Sequence, residues 1–198
     1  MIRLPGLVIM VLLMIGCSGA PPVPTDHFYR LTLPDTDITQ GQLTDEIIYV
    51  DSILAEGLYN ERALIYTGKS GDNELQQYHY HFWVTSPPKL LALNLVKYLR
   101  TANVSPLLVT EAGSGEQITI SGKLLAFERI FTNDNSRANI VIEFTITREG
   151  TDVPLLIKEY RGSEPVSGDK VAAVVEAYNR GVFGIFNEFH TDLASVLR

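Results

Sequence analysis

The residue with the most distinctive chemistry in this sequence is Cys17, the only cysteine among 198 residues. A single thiol cannot form an intramolecular disulfide, and it cannot build a cysteine-based zinc cluster. The sequence before it contains one early positive charge, Arg3, and then no charge over residues 4–15. A transmembrane helix needs about 20 apolar residues, so this short run predicts the core of a signal peptide instead.

Cys17 and the residues before it resemble the lipobox of bacterial lipoproteins. In that motif a small residue, here Gly16, precedes a cysteine that becomes the lipidated N-terminus. The resemblance implies diacylglycerol on the Cys17 thiol, cleavage after Gly16 and acylation of the new amine. Met14 stands where leucine is usual, but it has similar bulk and polarity. The alternative is an uncleaved anchor or an ordinary secretory signal, although an A-x-A-like cleavage site is missing.

Residues 18–26 have the composition of a tether, because three of these nine residues are proline. Such a segment favours extended polyproline II and would reach roughly 28 Å at about 3.1 Å per residue. Ser18 follows the cysteine, where aspartate would resemble the inner-membrane retention signal of enteric bacteria, so it implies the outer membrane. We therefore predict a signal peptide at 1–16, a lipidated cysteine and tether at 17–26, and one periplasmic domain at 27–198.

Histidine is the second residue type that could support chemistry, and the chain has four, at positions 27, 79, 81 and 190. His79 and His81 are predicted on one face of a strand, which makes an H-x-H metal pair conceivable. Zinc would need a third protein ligand, and no acidic or histidine cluster lies nearby in the sequence. We interpret the pair as polar side chains on a half-exposed strand, opposite Tyr78, Tyr80 and Phe82.

The other chemical signals are weak. His190 and Asp192 are two residues apart in a predicted helix, so they should point to different sides. The sequence has no G-x-S-x-G elbow, no Walker-type loop and no H-E-x-x-H motif. We therefore predict a protein that is not an enzyme, with no catalytic residues, no metal and no cofactor.

The formal net charge of −7 becomes −8 when Arg3 is lost with the signal peptide. An acidic protein is a poor partner for nucleic acid, so we expect none. The remaining composition is that of an ordinary globular protein, with 45% apolar residues.

Hydrophobic periodicity predicts the elements that must position these residues. Strands are predicted at 28–33, 46–54, 63–67, 74–84, 104–110, 118–131, 138–148 and 155–161, with a loop at 35–46. Ser86 and Pro87-Pro88 should open a first helix, whose apolar stripe comprises Leu91, Leu95, Tyr98, Leu99 and Ala102.

Asp169 should open a last helix of about 28 residues, in which Gly181 and Gly184 each cost about 1 kcal/mol relative to alanine. Those glycines predict a close approach to another element, or a bend. The fold class is α+β, a single domain with two helices on one face of a mixed or antiparallel sheet.

The order of landmarks is also informative. The lipobox cysteine and tether lead to residues 28–31, and residues 61–66 lead to the aromatic segment 78–83. Pro87-Pro88 and an apolar helix ending near Leu99 come next. This pattern resembles the ABC-type transport auxiliary lipoproteins, a family that includes the paraquat-inducible protein C lipoproteins.

In that family a Y-x-L strand follows the tether, and a Tyr-rich strand ends in Trp shortly before Pro and a helix. Tyr29, Leu31, Trp83 and Pro88 occupy those positions here. A strand with Gly122 and Phe127, a paired strand and an Ala/Val-rich C-terminal helix extend the resemblance over nearly the whole mature chain.

The resemblance implies an outer-membrane lipoprotein of Gram-negative bacteria that works with a transporter for lipids or other hydrophobic compounds. The implied partners are an inner-membrane ABC permease, its ATPase and a periplasmic protein of the mammalian-cell-entry type. A homo-oligomer, an envelope scaffolding role and a periplasmic enzyme using His79 and His81 stay open as alternatives.

Overall fold

Residues 23–34, 38, 41–68, 74–113, 115–132 and 135–197 are described by a computed structural model of the chain. Gly16 and Cys17 lie outside the described residues, so the predictions made for them are carried by the sequence alone. Within the described ranges, no helix combines the length and the apolar character needed to cross a membrane.

The elements follow the order strands, helix, strands, helix. The strands are β1 (His27–Tyr29), β2 (Ile48–Ala55), β3 (Ala63–Thr67), β4 (Leu75–Trp83), β5 (Leu108–Val109), β6 (Ile118–Thr132), β7 (Asn135–Arg148) and β8 (Leu156–Pro165). The helices are α1 (Pro87–Thr101) and α2 (Val171–Leu197), and a short 3-10 helix (Gly57–Asn60) follows β2.

Strand β6 organises the sheet because it has a different partner on each edge. Along one edge it pairs antiparallel with β7, and β7 pairs antiparallel with β8. Along the other edge β2 runs parallel to its first half and β3 runs parallel to its second half, with Ile48 opposite Ile118 and Ile65 opposite Glu128. The sheet therefore forks, with β5 beyond β2 at one end and β4 and β1 beyond β3 at the other. The result is a mixed sheet, one of the two sheet types that the pattern left open.

The core lies on one side of this sheet. Alternate residues of β7, namely Ala138, Ile140, Ile142, Phe144 and Ile146, are fully buried there. Both helices bury their apolar stripes in the same cluster as these β7 residues. The helices also contact each other, since the Tyr98 hydroxyl of α1 donates to Asn187 Oδ1 of α2 at 2.6 Å.

Helix α1 begins where Ser86 and the two prolines predicted, but the physical reason differs. Ser86 has the extended backbone of an N-cap residue, yet its hydroxyl makes no capping hydrogen bond. Pro87 and Pro88 carry no backbone N–H, so two of the four N–H donors that have no partner within the helix are missing from the first turn.

The predicted strand at 28–33 is wrong beyond Tyr29. Leu31 and Leu33 turn away from the sheet edge into the core, where each is almost fully buried. The Thr32 N–H donates to Asn179 Oδ1 of α2 at 3.0 Å instead of to a neighbouring strand. Burial of the two leucines therefore replaced sheet pairing.

The predicted strand at 104–110 also shrinks, to Leu108–Val109. The Val104 N–H donates to Leu99 O at the end of α1, at 3.3 Å. The Ser105 hydroxyl donates to Glu46 O at 2.8 Å. The first hydrogen bond satisfies a carbonyl at the end of α1, and the second attaches the loop to residue 46. The loop therefore does not extend the sheet.

The two glycines of α2 behave differently. A Cβ on Gly181 would lie 2.7 Å from Ile140 Cδ1 of β7, which confirms the close approach. From the sheet side, a Cβ on Gly162 would lie 3.1 Å from Gly181 O. The expected approach at Gly184 is wrong, because nothing lies within 4 Å of the Cβ position there.

Candidate functional site

Strands β1 and β4 form one corner of the sheet, directly after the segment predicted as a tether. The three residues of β1 pair in parallel with β4, with His27 opposite His81 and Tyr29 opposite Trp83. This corner is the first regular structure after the predicted tether.

His81 is the centre of a small aromatic group in this corner. The His27 ring stacks on it with centroids 5.0 Å apart. The Tyr29 hydroxyl hydrogen bonds to His81 Nδ1 at 2.9 Å. Partial burial lowers the pKa of His81, and the nearby His27 lowers it further. Because neutral imidazole has one acceptor nitrogen, the lowered pKa favours His81 as the acceptor from Tyr29.

The expectation that Tyr78 and His81 lie on opposite faces of β4 is wrong. Between the pairs Ile65–Gln77 and Ala63–Phe82, the pairing of β3 with β4 loses its register. Consequently the Tyr78 ring contacts the His81 ring edge-on, with centroids 5.8 Å apart. In the part of the chain that the structure describes, no group of three or more His, Cys, Asp or Glu residues could hold a metal ion.

A buried arginine extends this group toward the β6–β7 hairpin. Arg129 is only 4% exposed. Its Nη1 donates to the Tyr78 hydroxyl at 3.1 Å, and its Nε donates to Ser136 Oγ at 2.9 Å. Its guanidinium also lies 4.4 Å from the centroid of the Phe131 ring. The cation thus ties the hairpin end to β4 through hydroxyls and a ring face.

Glu128, next to it in sequence, stabilises the fork between β2 and β3. Its carboxylate accepts hydrogen bonds from the Tyr59 hydroxyl of the 3-10 helix and from Asn139 Nδ2 of β7. Burial, and then the bond to Glu128, raise the pKa of Tyr59. Sequence reasoning missed Arg129 and Glu128, and the one available signal was two adjacent charges inside a long apolar strand.

His190 and Asp192 point to different sides of α2, as predicted. The His190 ring is buried against Tyr98 of α1, and burial lowers its pKa. Asp192 Oδ2 accepts from Lys158 Nζ at 2.7 Å and from the Tyr160 hydroxyl at 2.8 Å, both on β8. The two residues therefore secure α2 to different neighbours.

The replacement Asp192→Asn should reduce the loss of unfolding free energy that occurs as the pH falls from 7 to 3. The hydrogen bond from Lys158 is the main cause that lowers the pKa of Asp192 below its usual 3.8. A lowered carboxyl pKa stabilises the fold above the unfolded-state value, and this stabilisation is lost as pH falls from about 5 toward the folded-state pKa. Urea unfolding from pH 7 to 3 should show a steeper loss for wild type than for the variant.

Asp152→Asn is a matched control, since Asp152 is an exposed carboxylate in the β7–β8 turn. It should keep the wild-type slope. Equal slopes for wild type and Asp192→Asn would contradict the assigned role of Asp192.

An open polar cleft of about 550 Å³ lies where β6 begins and β7 ends, lined by Gln117, Thr119, Thr147 and Arg148 among others. Arg148 is paired there with Glu46, with Nη2 and Oε2 2.9 Å apart. Across the described ranges, no hydrogen bond joins a histidine to a serine, threonine or cysteine, the pairing that would activate a nucleophile.

Solved structures share this fold. The protein XCC0632 from Xanthomonas campestris, of the DUF330 family, is 14% identical, with a TM-score of 0.77 over 86% of this chain and 95% of that one. The hypothetical protein CT253 from Chlamydia trachomatis is 7% identical, with a TM-score of 0.53 over 77% of this chain and 98% of that one. No curated protein sequence matches the chain at a significant level.

The fold defines a single α+β domain, with two helices on one face of a mixed sheet. The family described as ABC-type transport auxiliary lipoprotein component matches residues 29–188. The chain belongs to this family, so the resemblance noted from the landmarks is confirmed. Its described role is that of an auxiliary component, which agrees with the prediction that the protein is not an enzyme.

Proposed function

We propose that this protein is a lipid-anchored accessory component of an ABC transport system for lipids or other hydrophobic compounds. It would stand on the periplasmic face of the outer membrane and dock a periplasmic mammalian-cell-entry protein, whose inner-membrane partners are the ABC permease and ATPase. The family match over residues 29–188 is the observation that carries this proposal.

The order of segments along the chain supports separate roles for the N-terminal segment and the folded domain. The family match begins at Tyr29, twelve residues after Cys17. Residues 17–26 would therefore supply the anchor and its reach, and residues 27–198 would supply the docking domain. Two or more acyl chains make membrane anchoring stable, since each buried methylene contributes about 0.8 kcal/mol.

The proposed anchor is tested by metabolic labelling with palmitate in a Gram-negative host. Wild type should incorporate label, and Cys17→Ala should lose it entirely, because the chain contains no other thiol. Ser18→Ala is the control and should keep the label. Label that persists in Cys17→Ala would overturn the anchor assignment.

Membrane sorting is tested with Ser18→Asp in an enteric host. Wild type should fractionate with the outer membrane, while the variant should stay with the inner membrane. Wild type found in the inner membrane would contradict the proposed location.

The proposed partners are tested by pull-down from envelope membranes of the source bacterium with the anchor intact. The periplasmic mammalian-cell-entry protein should be recovered, and genes for it, the permease and the ATPase should neighbour this gene. Recovery of outer-membrane assembly or cell-wall proteins in their place would overturn the transport assignment and favour a scaffolding role.

A further inference from the structure

One exposed apolar surface lies beside the tether, and we define the aromatic corner as Phe28, Tyr80, Phe82 and Val84. Phe28 is 55% exposed, Val84 is 46% exposed and Tyr80 is 43% exposed. Phe28 and Phe82 are directly paired across β1 and β4, and their ring centroids lie 5.9 Å apart. The side chains come from β1, from β4 and from the residue directly after β4, at one edge of the sheet.

Strand geometry keeps this surface outside the core. Trp83 alternates with Phe82 and Val84 along the chain and is 1% exposed in the core, so its neighbours point the other way. The Val84 N–H donates to Tyr29 O at 2.8 Å, which holds Val84 beside β1. Single exposed apolar residues are ordinary, but a contiguous apolar group at one edge indicates a surface that contacts something.

An arginine completes the surface. Arg62 Nε donates to Trp83 O at 3.1 Å, and its guanidinium carbon lies 5.4 Å from the centroid of the Phe28 ring. Tyrosine and tryptophan rings are enriched at the headgroup level of bilayers, where a cation also finds anionic phosphate. The combination of aromatic rings with an adjoining guanidinium fits a phospholipid interface.

The position of the corner identifies the bilayer that would cover it. Phe28 is eleven residues after Cys17, so the chain between them would span about 34 Å as polyproline II at about 3.1 Å per residue. A short link raises the effective concentration of the anchoring membrane at every nearby surface. The corner is the part of the domain next to the end of this link.

We propose that the aromatic corner inserts shallowly into the headgroup region of the membrane that carries the Cys17 anchor. This inference rests on the proposed lipid anchor. Other exposed apolar residues, such as Leu93 on α1 and Ile157 on β8, lie on elements remote in sequence from the tether. Contact at the corner would orient the domain, with the β1–β4 edge of the sheet facing the lipid.

The test uses the lipidated full-length chain in vesicles of phosphatidylethanolamine and phosphatidylglycerol with brominated acyl chains. Trp83 is the only tryptophan and is buried in the core, so it provides a constant background. Tyr80→Trp and Phe28→Trp each place a second indole in the corner. Leu93→Trp is the matched control, because Leu93 is 57% exposed on α1.

Both corner variants should be quenched by brominated lipid beyond the wild-type level and should shift their emission to shorter wavelength. Leu93→Trp should show no quenching by brominated lipid beyond the wild-type level. Two corner variants are used so that one poorly folded protein, recognised by an altered circular dichroism spectrum in solution, does not decide the result.

Vesicle flotation and palmitate labelling are measured on the same preparations. If labelled protein floats but neither corner variant is quenched, the membrane-facing corner is overturned and the anchored accessory function stands. Quenching of Leu93→Trp to the same extent would also overturn it, because no particular face would then contact lipid. Wild type that neither floats nor carries label overturns both proposals.

Discussion

Phe186→Ala is expected to lower the free energy of unfolding by about 3–5 kcal/mol, the usual cost of emptying a buried phenylalanine site. Phe186 has no exposed surface. Its ring lies between Tyr98 of α1 and Phe144 of β7, with centroid distances of 5.7 and 6.4 Å. The loss should fall at the top of that range, because one cavity would loosen both the contact between the helices and the contact with the sheet.

Urea unfolding followed by circular dichroism measures this effect, with the fluorescence of the buried Trp83 as a second probe. Leu93→Ala is the control, because Leu93 lies on α1 with its side chain largely exposed. It should change stability by less than about 0.5 kcal/mol. A loss below about 1 kcal/mol for Phe186→Ala would show that the three-way contact is not important for stability.

The second large effect is a difference in stability between leucine substitutions at two glycines that are only three residues apart. Gly181→Leu is expected to destabilise the protein by about 1–3 kcal/mol or more, as overpacking of a tight contact does. Even the first added carbon would lie 2.7 Å from Ile140 Cδ1. Gly184→Leu is expected to stabilise it by about 0.5–1 kcal/mol, because leucine is the better helix former and the position is open.

Thermal unfolding of both variants beside wild type tests this opposition of sign. Gly184→Leu serves as the matched control, since it makes the same chemical change in the same helix. Equal shifts of Tm for the two variants would mean that α2 can move away from β7 without cost.

Much of the fold could be predicted because its signals are local. Strand β3 was predicted with its observed bounds, and β6, β7 and α2 were predicted within a few residues at each end. In these elements the alternation or the helical spacing of apolar residues continues over many positions, so each added position supports the same type of secondary structure. The short edge strands were predicted too long, because a few alternating residues cannot distinguish pairing from burial in the core.

The environment of the histidines could not be predicted. An H-x-H spacing places two side chains on one face only if the strand is regular, and both histidines lie in the stretch between Gln77 and Phe82 where β4 loses its register with β3. Arg129 was missed for a related reason. A charge within an apolar strand is ordinarily assigned to solvent, and its hydroxyl partners, Tyr78 and Ser136, come from two other strands.

The predicted chemistry of the N-terminus rests on the sequence by itself. The lipobox-like residues that end at Cys17, the proline-rich segment predicted as a tether, and the periods of the longer strands and helices are all properties of neighbouring residues. The forked sheet, the contact of Gly181 with Ile140 and the aromatic corner were decided only by the tertiary structure. Each of these joins residues that are distant in sequence, and pairing between distant segments leaves no periodic signal along the chain.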